Sequence, residues 1–198
     1  MRIGVDIDGV LTNLETFLVE YGTKYYSEKG IEYTINPTGY DIGELFGVGK
    51  EGEKEFWSEH VEAYAKNEWP RHFAVEVMNR LKADGYELYI ITARLWSYED
   101  SERGGWMRGL VYDWFRRHGL PYDELIFTHE DKLQRCRENG IELMIEDKPQ
   151  NIMDISEELP VIAFDARYNQ KCEGEKIMRC YSWYDVYRTI RKWRERTA

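Results

Sequence analysis

The sequence predicts an α/β fold built on a doubly wound parallel sheet, and three observations carry that prediction. Short, continuous apolar runs recur along the chain, amphipathic stretches of helix length separate them, and acidic, hydroxyl or basic residues stand where the runs end. Continuous apolar runs suit strands buried on both faces of a parallel sheet. Repeated strand-helix-strand units generate such a sheet, and its ligands bind beyond the carboxyl ends of the strands.

The first strand is expected over residues 2–6, where Ile3 and Val5 supply the apolar run and Gly9 lets the backbone turn sharply after it. Residues 14–71 are too long for an ordinary loop and contain helical patterns of their own. They read as a small helical cap inserted after the first strand, so that 1–13 and 72–198 form the catalytic core and 14–71 the cap. Within the cap Phe17, Leu18 and Tyr21 share a helical face, and Tyr40, Leu45, Phe46, Trp57, Val61 and Tyr64 add apolar bulk. The glycines at 43, 47, 49 and 52 suggest a mobile segment that lets the cap open and close. A helix over 73–83 leads to a second strand at Glu87–Thr92, and a helix over 106–118 to a third at Glu124–Phe127. Helices over 131–139 and 152–158 then precede strands Leu143–Glu146 and Val161–Phe164, giving about five strands in a Rossmann-like sheet with helices on both faces. The basic segment 186–196 reads as a solvated last helix whose cations suit its carboxyl end, docked on the sheet by Trp193.

Composition narrows the function classes. The 198 residues are 42% hydrophobic and 15% aromatic, enough for one core plus an insertion. A net charge of −10 argues against broad capture of a nucleic-acid polymer. No apolar stretch approaches the roughly 20 residues that span a bilayer, and the chain opens directly into a strand, so a cytoplasmic protein without membrane association is expected. Cys136, Cys172 and Cys180 are odd in number and lack metal-type spacing, which favours free thiols.

The chemistry is read from the strand ends. Asp6 and Asp8, separated by one residue, point the same way in extended geometry and repel each other unless a cation or a shared proton lies between them. A hard divalent metal such as Mg²⁺ wants such oxygen ligands. One carboxylate is then free to attack phosphorus and the other to carry a proton. Thr92 and Arg94 end the second strand, Glu146 and Asp147 end the fourth, and Lys132 opens a helix on the same edge. Each is commonplace alone; their convergence on one edge points to phosphoryl transfer.

The segments Asp6-Ile-Asp8-Gly-Val-Leu-Thr, Ile91-Thr92-Ala-Arg94, Lys132 and Ile145-Glu146-Asp147-Lys-Pro-Gln-Asn151 resemble, in order, the four motifs of the haloacid dehalogenase-like phosphatases. With Phe164-Asp-Ala-Arg-Tyr-Asn169 and Ser182-Trp183, the chain looks most like the 5′(3′)-deoxyribonucleotidase group and its bacterial relatives. The resemblance implies that Asp6 is the nucleophile forming an aspartyl-phosphate and Asp8 the acid and base. It implies further that Thr92 binds a phosphoryl oxygen and Lys132 offsets negative charge. Asp6, the Asp8 carbonyl and Asp147 would hold Mg²⁺. Glu146 stands where many members carry aspartate, which leaves open whether it joins them or leaves Asp147 alone as ligand.

Arg94 reads either as a substrate contact or as an ion-pair partner holding its loop. Asn151 reads as an orderer of the metal shell or a helix cap, Lys148 as a charge balance, and His129 has no assigned role. Phe17, Phe46 and Trp57 are candidates for a base pocket, because a flat apolar surface suits a nucleobase. The expected partner is thus a small-molecule phosphomonoester, with a nucleotide favoured over a sugar phosphate or other small metabolite and a homodimer left open. A noncatalytic phosphate-binding protein would not need both nucleophile and proton carrier, and a receiver domain would be shorter.

Overall fold

Side chains on successive strand positions divide between two apolar cores, and this division sets the architecture of the computed structural model, which describes residues 1–129 and 131–197. The strands are β1 (Arg2–Val5), β2 (Glu87–Thr92), β3 (Glu124–Phe127), β4 (Leu143–Glu146), β5 (Val161–Phe164) and β6 (Ile177–Cys180). They form one sheet in the order β3-β2-β1-β4-β5-β6, and each neighbouring pair is parallel. Ile3, Val5, Leu88, Ile90, Leu143 and Ile145 face one core, shared with helices α4 (Ala74–Ala83), α5 (Glu102–His118) and α8 (Trp183–Thr197). Tyr89, Ile91, Met144, Val161 and Ala163 face the other, under α6 (Lys132–Glu138) and α7 (Pro149–Ser156).

The doubly wound expectation is met, with a sixth strand added. β6 escapes a search for apolar runs because Arg179 interrupts it and its residues are only half-buried up to Cys180. Arg179 spends its charge on the loop after β5, donating to the Asn169 carbonyl at 2.9 Å and the Cys172 carbonyl at 3.2 Å. Two expected helices begin earlier than their apolar periodicity suggests. Ser101 caps α5 by accepting the Gly104 N–H at 3.0 Å, and Pro149 opens α7 with its fixed φ.

Between β1 and α4 stand α1 (Leu14–Glu28), α2 (Ile42–Phe46) and α3 (Gly49–Asn67), packed around their own apolar cluster. The glycine-rich stretch is mostly helical. Gly47 and Gly49, at φ of +69° and +65°, form the corner between α2 and α3. Trp193 packs against the main core, and Arg188 of the same helix pairs with Asp185. Among the described residues no helix is long and apolar enough to cross a membrane. The three cysteines are buried and unpaired with one another.

The loop after β1 is clamped from behind. Arg71 donates through Nε and Nη2 to the Gly9 carbonyl at 3.2 and 3.0 Å and through Nε to the Thr12 carbonyl at 3.1 Å, while its guanidinium lies over the Phe164 ring. The Trp183 indole donates to the Val10 carbonyl at 3.2 Å. Gly9 sits at φ +82°, and a Cβ there would lie 1.9 Å from Oδ2 of Asp147. Gly9→Ala should therefore destabilise the protein by about 1–3 kcal/mol, the usual cost of forcing a side chain into such backbone, before any cost of displacing Asp147. Denaturant unfolding of the variant beside the parent measures this.

Candidate active site

The strand order reverses between the parallel neighbours β1 and β4, with later strands laid down outward on either side, and the crevice beyond their carboxyl ends is where an open α/β sheet holds its ligand. Asp6 follows β1 there, its N–H donating to the Ile145 carbonyl at 3.1 Å, and Glu146 and Asp147 end β4 beside it. Lys132, the first residue of α6, reaches the same point. Its ammonium lies 2.8 Å from Asp6 Oδ2 and 2.7 Å from Glu146 Oε2, with all three side chains buried. Thr128 helps place it, through a backbone N–H to the Thr92 carbonyl at 3.0 Å and a hydroxyl bond to Asp131, the residue before the helix.

One ammonium cannot neutralise three buried carboxylates. Glu146 keeps its charge. Burial opposes its ionisation, but Lys132 and the backbone N–H groups of Lys148 and Asp147, both at 3.1 Å, hold its carboxyl below the ordinary range. Burial raises Asp6 to about 8 despite Lys132, with the charges of Glu146 and Asp8 adding to it. Asp147 is likewise raised well above the ordinary range by burial and by Glu146 and Asp6. Lys132 is raised, its two carboxylate partners overcoming its burial.

The donor census shows which oxygens could hold a metal. Both Glu146 oxygens are engaged, Oε2 also accepting from Asn151 Nδ2 at 3.2 Å. Asp6 Oδ1 and Asp147 Oδ1 are buried and have no hydrogen-bond partner among the described residues. Asp6, Glu146 and Asp147 each bring a carboxylate oxygen within 4.8 Å of the others. A hard cation fits this set, because buried anionic oxygens without donors are what it neutralises. Asp6 and Asp147 are the ligands the geometry favours, and Glu146 is occupied as the anchor of Lys132.

Asp8 faces away from Lys132 toward Arg94, whose Nε lies 3.1 Å from Oδ1 and 3.3 Å from Oδ2 and whose Nη2 closes a second bond. Arg94 is buried and its guanidinium lies over the Tyr64 ring. Thr92 is fully buried and its oxygen accepts the Arg94 N–H at 3.2 Å, leaving its hydroxyl proton to donate elsewhere.

A cleft of about 350 Å³ opens from Asp8 and Arg94 between the sheet edge and the inserted helices. Leu14, Leu18, Trp57, Val61 and Tyr64 give it an apolar wall, and Tyr40, Lys148 and His129 stand among its polar lining. Of the three proposed base-pocket aromatics, only Trp57 lines it. Phe17 is buried behind, stacked 6.1 Å from Trp57 and packed 4.6 Å from Tyr64. Phe46 does not reach the cleft and is corrected to an internal residue of the insertion. It sits between Tyr26 and Tyr33, each 5.2 Å away, in space left by Gly22.

Sequence reasoning missed Arg71, Tyr168 and Asn169 as parts of the site. Tyr168 donates its hydroxyl to Asp147 Oδ2, and Asn169 Nδ2 donates to the Asp147 carbonyl at 2.8 Å. Both lay in the segment Phe164-Asp-Ala-Arg-Tyr-Asn169, where a polar run after a buried strand was the available signal. Nothing local marks Arg71.

Because Asp6 rises in the folded state from 3.8 to about 8, folding of the metal-free protein takes up a proton. Its contribution is complete below the unfolded value and is lost as pH climbs through about 8. Melting temperatures in chelator should therefore show Asp6→Asn gaining on the parent between pH 5 and pH 8; a constant difference would refute the assignment.

Residues 1–196 match the family described as 5′ nucleotidase, deoxy (Pyrimidine), cytosolic type C. YqfW of Bacillus subtilis is 30% identical over 194 residues, covering 94% of this chain and 91% of its own. Nucleotidase CA_C3379 of Clostridium acetobutylicum is 27% identical over 190 residues, covering 94% and 92%. Among solved structures, the haloacid dehalogenase-like hydrolase SP0104 from Streptococcus pneumoniae superposes with a TM-score of 0.65 at 14% identity, covering 96% of this chain and 97% of that one. With Asp6, Lys132, Glu146 and Asp147 gathered at one switch point in the fold of a haloacid dehalogenase-like hydrolase, the chain belongs to the cytosolic type C 5′-nucleotidase family, hydrolases of phosphomonoesters.

Proposed function

We propose that this enzyme hydrolyses nucleoside 5′-monophosphates in the cytoplasm through an aspartyl-phosphate, with Mg²⁺ as cofactor. The observation that carries the reading is the shape of the cleft: a floor of Asp8 and Arg94, and a wall of Leu14, Leu18, Trp57 and Tyr64. A charged phosphate suits the first, and a flat, weakly polar base suits the second. The family match and the nucleotidase relative support the same substrate class.

The Asp6 carboxylate attacks phosphorus as the bond from phosphorus to the leaving alkoxide breaks, and Asp8 gives that alkoxide a proton. Asp8 then takes a proton from water, which attacks the phosphorus, releases inorganic phosphate and regenerates Asp6. Arg94 fixes Asp8 in orientation through its forked contact. Thr92 donates its free hydroxyl proton to a phosphoryl oxygen. Lys132 is already oriented and desolvated, so it offsets charge on the nucleophile without reorganising. Asp6, Asp147 and the Asp8 carbonyl would hold Mg²⁺, which would neutralise phosphoryl charge when bound. Residues 14–71 act as a cap that shields the cleft from water.

A phosphate-release screen over nucleoside monophosphates and sugar phosphates, with and without MgCl₂, tests the reading. Nucleotides should be preferred, and Asp6→Asn should lower kcat at least about 100-fold, the equivalent of about 3 kcal/mol of barrier. A preference for sugar phosphates would replace the nucleotide reading; parent-level activity of Asp6→Asn would exclude the covalent route.

A further inference from the structure

The loop between β5 and β6 grips Asp147 at two points. The Tyr168 hydroxyl donates to Oδ2, and Asn169 Nδ2 donates to the backbone carbonyl of the same residue at 2.8 Å. Asn169 is itself fixed, because its Nδ2 also donates to the Phe164 carbonyl at 2.8 Å and its Oδ1 accepts from Arg179 Nη1 at 2.7 Å. Arg179 Nη2 donates to the Asn169 carbonyl at 2.9 Å, which pins the backbone that carries Tyr168. The result is a carboxylate with one oxygen tied to a phenol and the other, Oδ1, buried without a donor among the described residues.

Tyr168 also meets the insertion. The Tyr40 ring stands edge-on to the Tyr168 ring, centroids 5.1 Å apart and planes at 88°. Tyr40 precedes α2, and its N–H donates to Glu44 Oε2 at 3.0 Å, while the Lys148 ammonium lies 5.5 Å from its ring centroid. It lines the cleft as well. A substrate or a movement of the insertion that shifts Tyr40 therefore presses on the phenol that aims Asp147.

From this geometry we infer that Tyr168 is a positioning residue that makes Asp147 present Oδ1 to a divalent cation, and that Tyr40 couples cation affinity to the seating of residues 14–71. The inference rests on the reading of Asp6 and Asp147 as cation ligands. Without the phenol, the Asp147 carboxylate is free to rotate and must be ordered by the cation itself, which weakens binding. Loss of an outer hydrogen-bond partner of a metal ligand typically costs about 10- to 100-fold in affinity.

Mn²⁺ binding to the full chain, read from the electron paramagnetic resonance of free Mn²⁺ in the absence of substrate, tests both parts. Tyr168→Phe should bind Mn²⁺ about 10-fold or more weakly than the parent while its circular dichroism in chelator at the assay temperature stays that of the folded parent. Tyr40→Ala should weaken binding although it removes no cation ligand, and Tyr40→Phe, which keeps the ring, should restore it. Parent-level affinity in Tyr168→Phe overturns the positioning role; parent-level affinity in Tyr40→Ala, or loss in Tyr40→Phe equal to that in Tyr40→Ala, overturns the coupling through ring packing. If the parent binds no Mn²⁺, or Asp147→Asn binds it as well as the parent, the cation reading falls instead. The pattern across variants thus separates the two failures.

Discussion

The ammonium of Lys132 between Asp6 and Glu146 is the contact on which the rest of the site depends. Three carboxylates packed at the ends of adjacent strands would not stay together in a low-dielectric interior without it. Its two bonds, at 2.8 and 2.7 Å, give Glu146 a stable charge and leave Asp6 and Asp147 short of one. That shortfall is what a bound cation would relieve: the fold gathers more carboxylates than its own side chains can neutralise. Glu146 is the structural partner in this arrangement, saturated by Lys132, Asn151 and two backbone N–H groups.

Topology brings the participants together. β1 and β4 are neighbours in the sheet but far apart in sequence, and the winding direction changes between them. Side chains just past their ends face a crevice that no crossover helix fills. The remaining demands are local: a glycine where the Asp147 carboxylate passes, and a clamp of Arg71 and Trp183 that keeps the turn after β1 tight. Asp8 can then leave the Lys132 cluster and pair with Arg94, so the two acids of one short motif occupy different electrostatic settings. In the proposed reaction, nucleophile and proton carrier need that separation of environment.

Much of this was legible in the chain because it is written in local patterns. Buried parallel strands are continuous apolar runs, and five of the six could be found that way. Asp6, Thr92, Lys132 and Asp147 were legible because each follows an apolar run or opens a helix at one sheet edge. What stayed hidden depends on tertiary partners. Arg179 disguised β6, since a half-buried arginine in a strand makes sense only once the Asn169 and Cys172 carbonyls are seen beside it. Phe46 looked as apt for a base as Trp57, because aromatic character does not say which side of a helix corner faces the cleft. Tyr168 reaches back across 21 residues to Asp147, and no periodicity encodes such a contact.

The three buried cysteines have a practical consequence. Burial raises the Cys136 thiol to about 12 and the Cys180 thiol to about 11, and raises Cys172 as well. At neutral pH almost no thiolate exists for an electrophile to meet, and the sulfur atoms are shielded from reagents in solvent. Thiol-directed alkylating labels should therefore react slowly with the folded protein, and thiol modification becomes a report on unfolding.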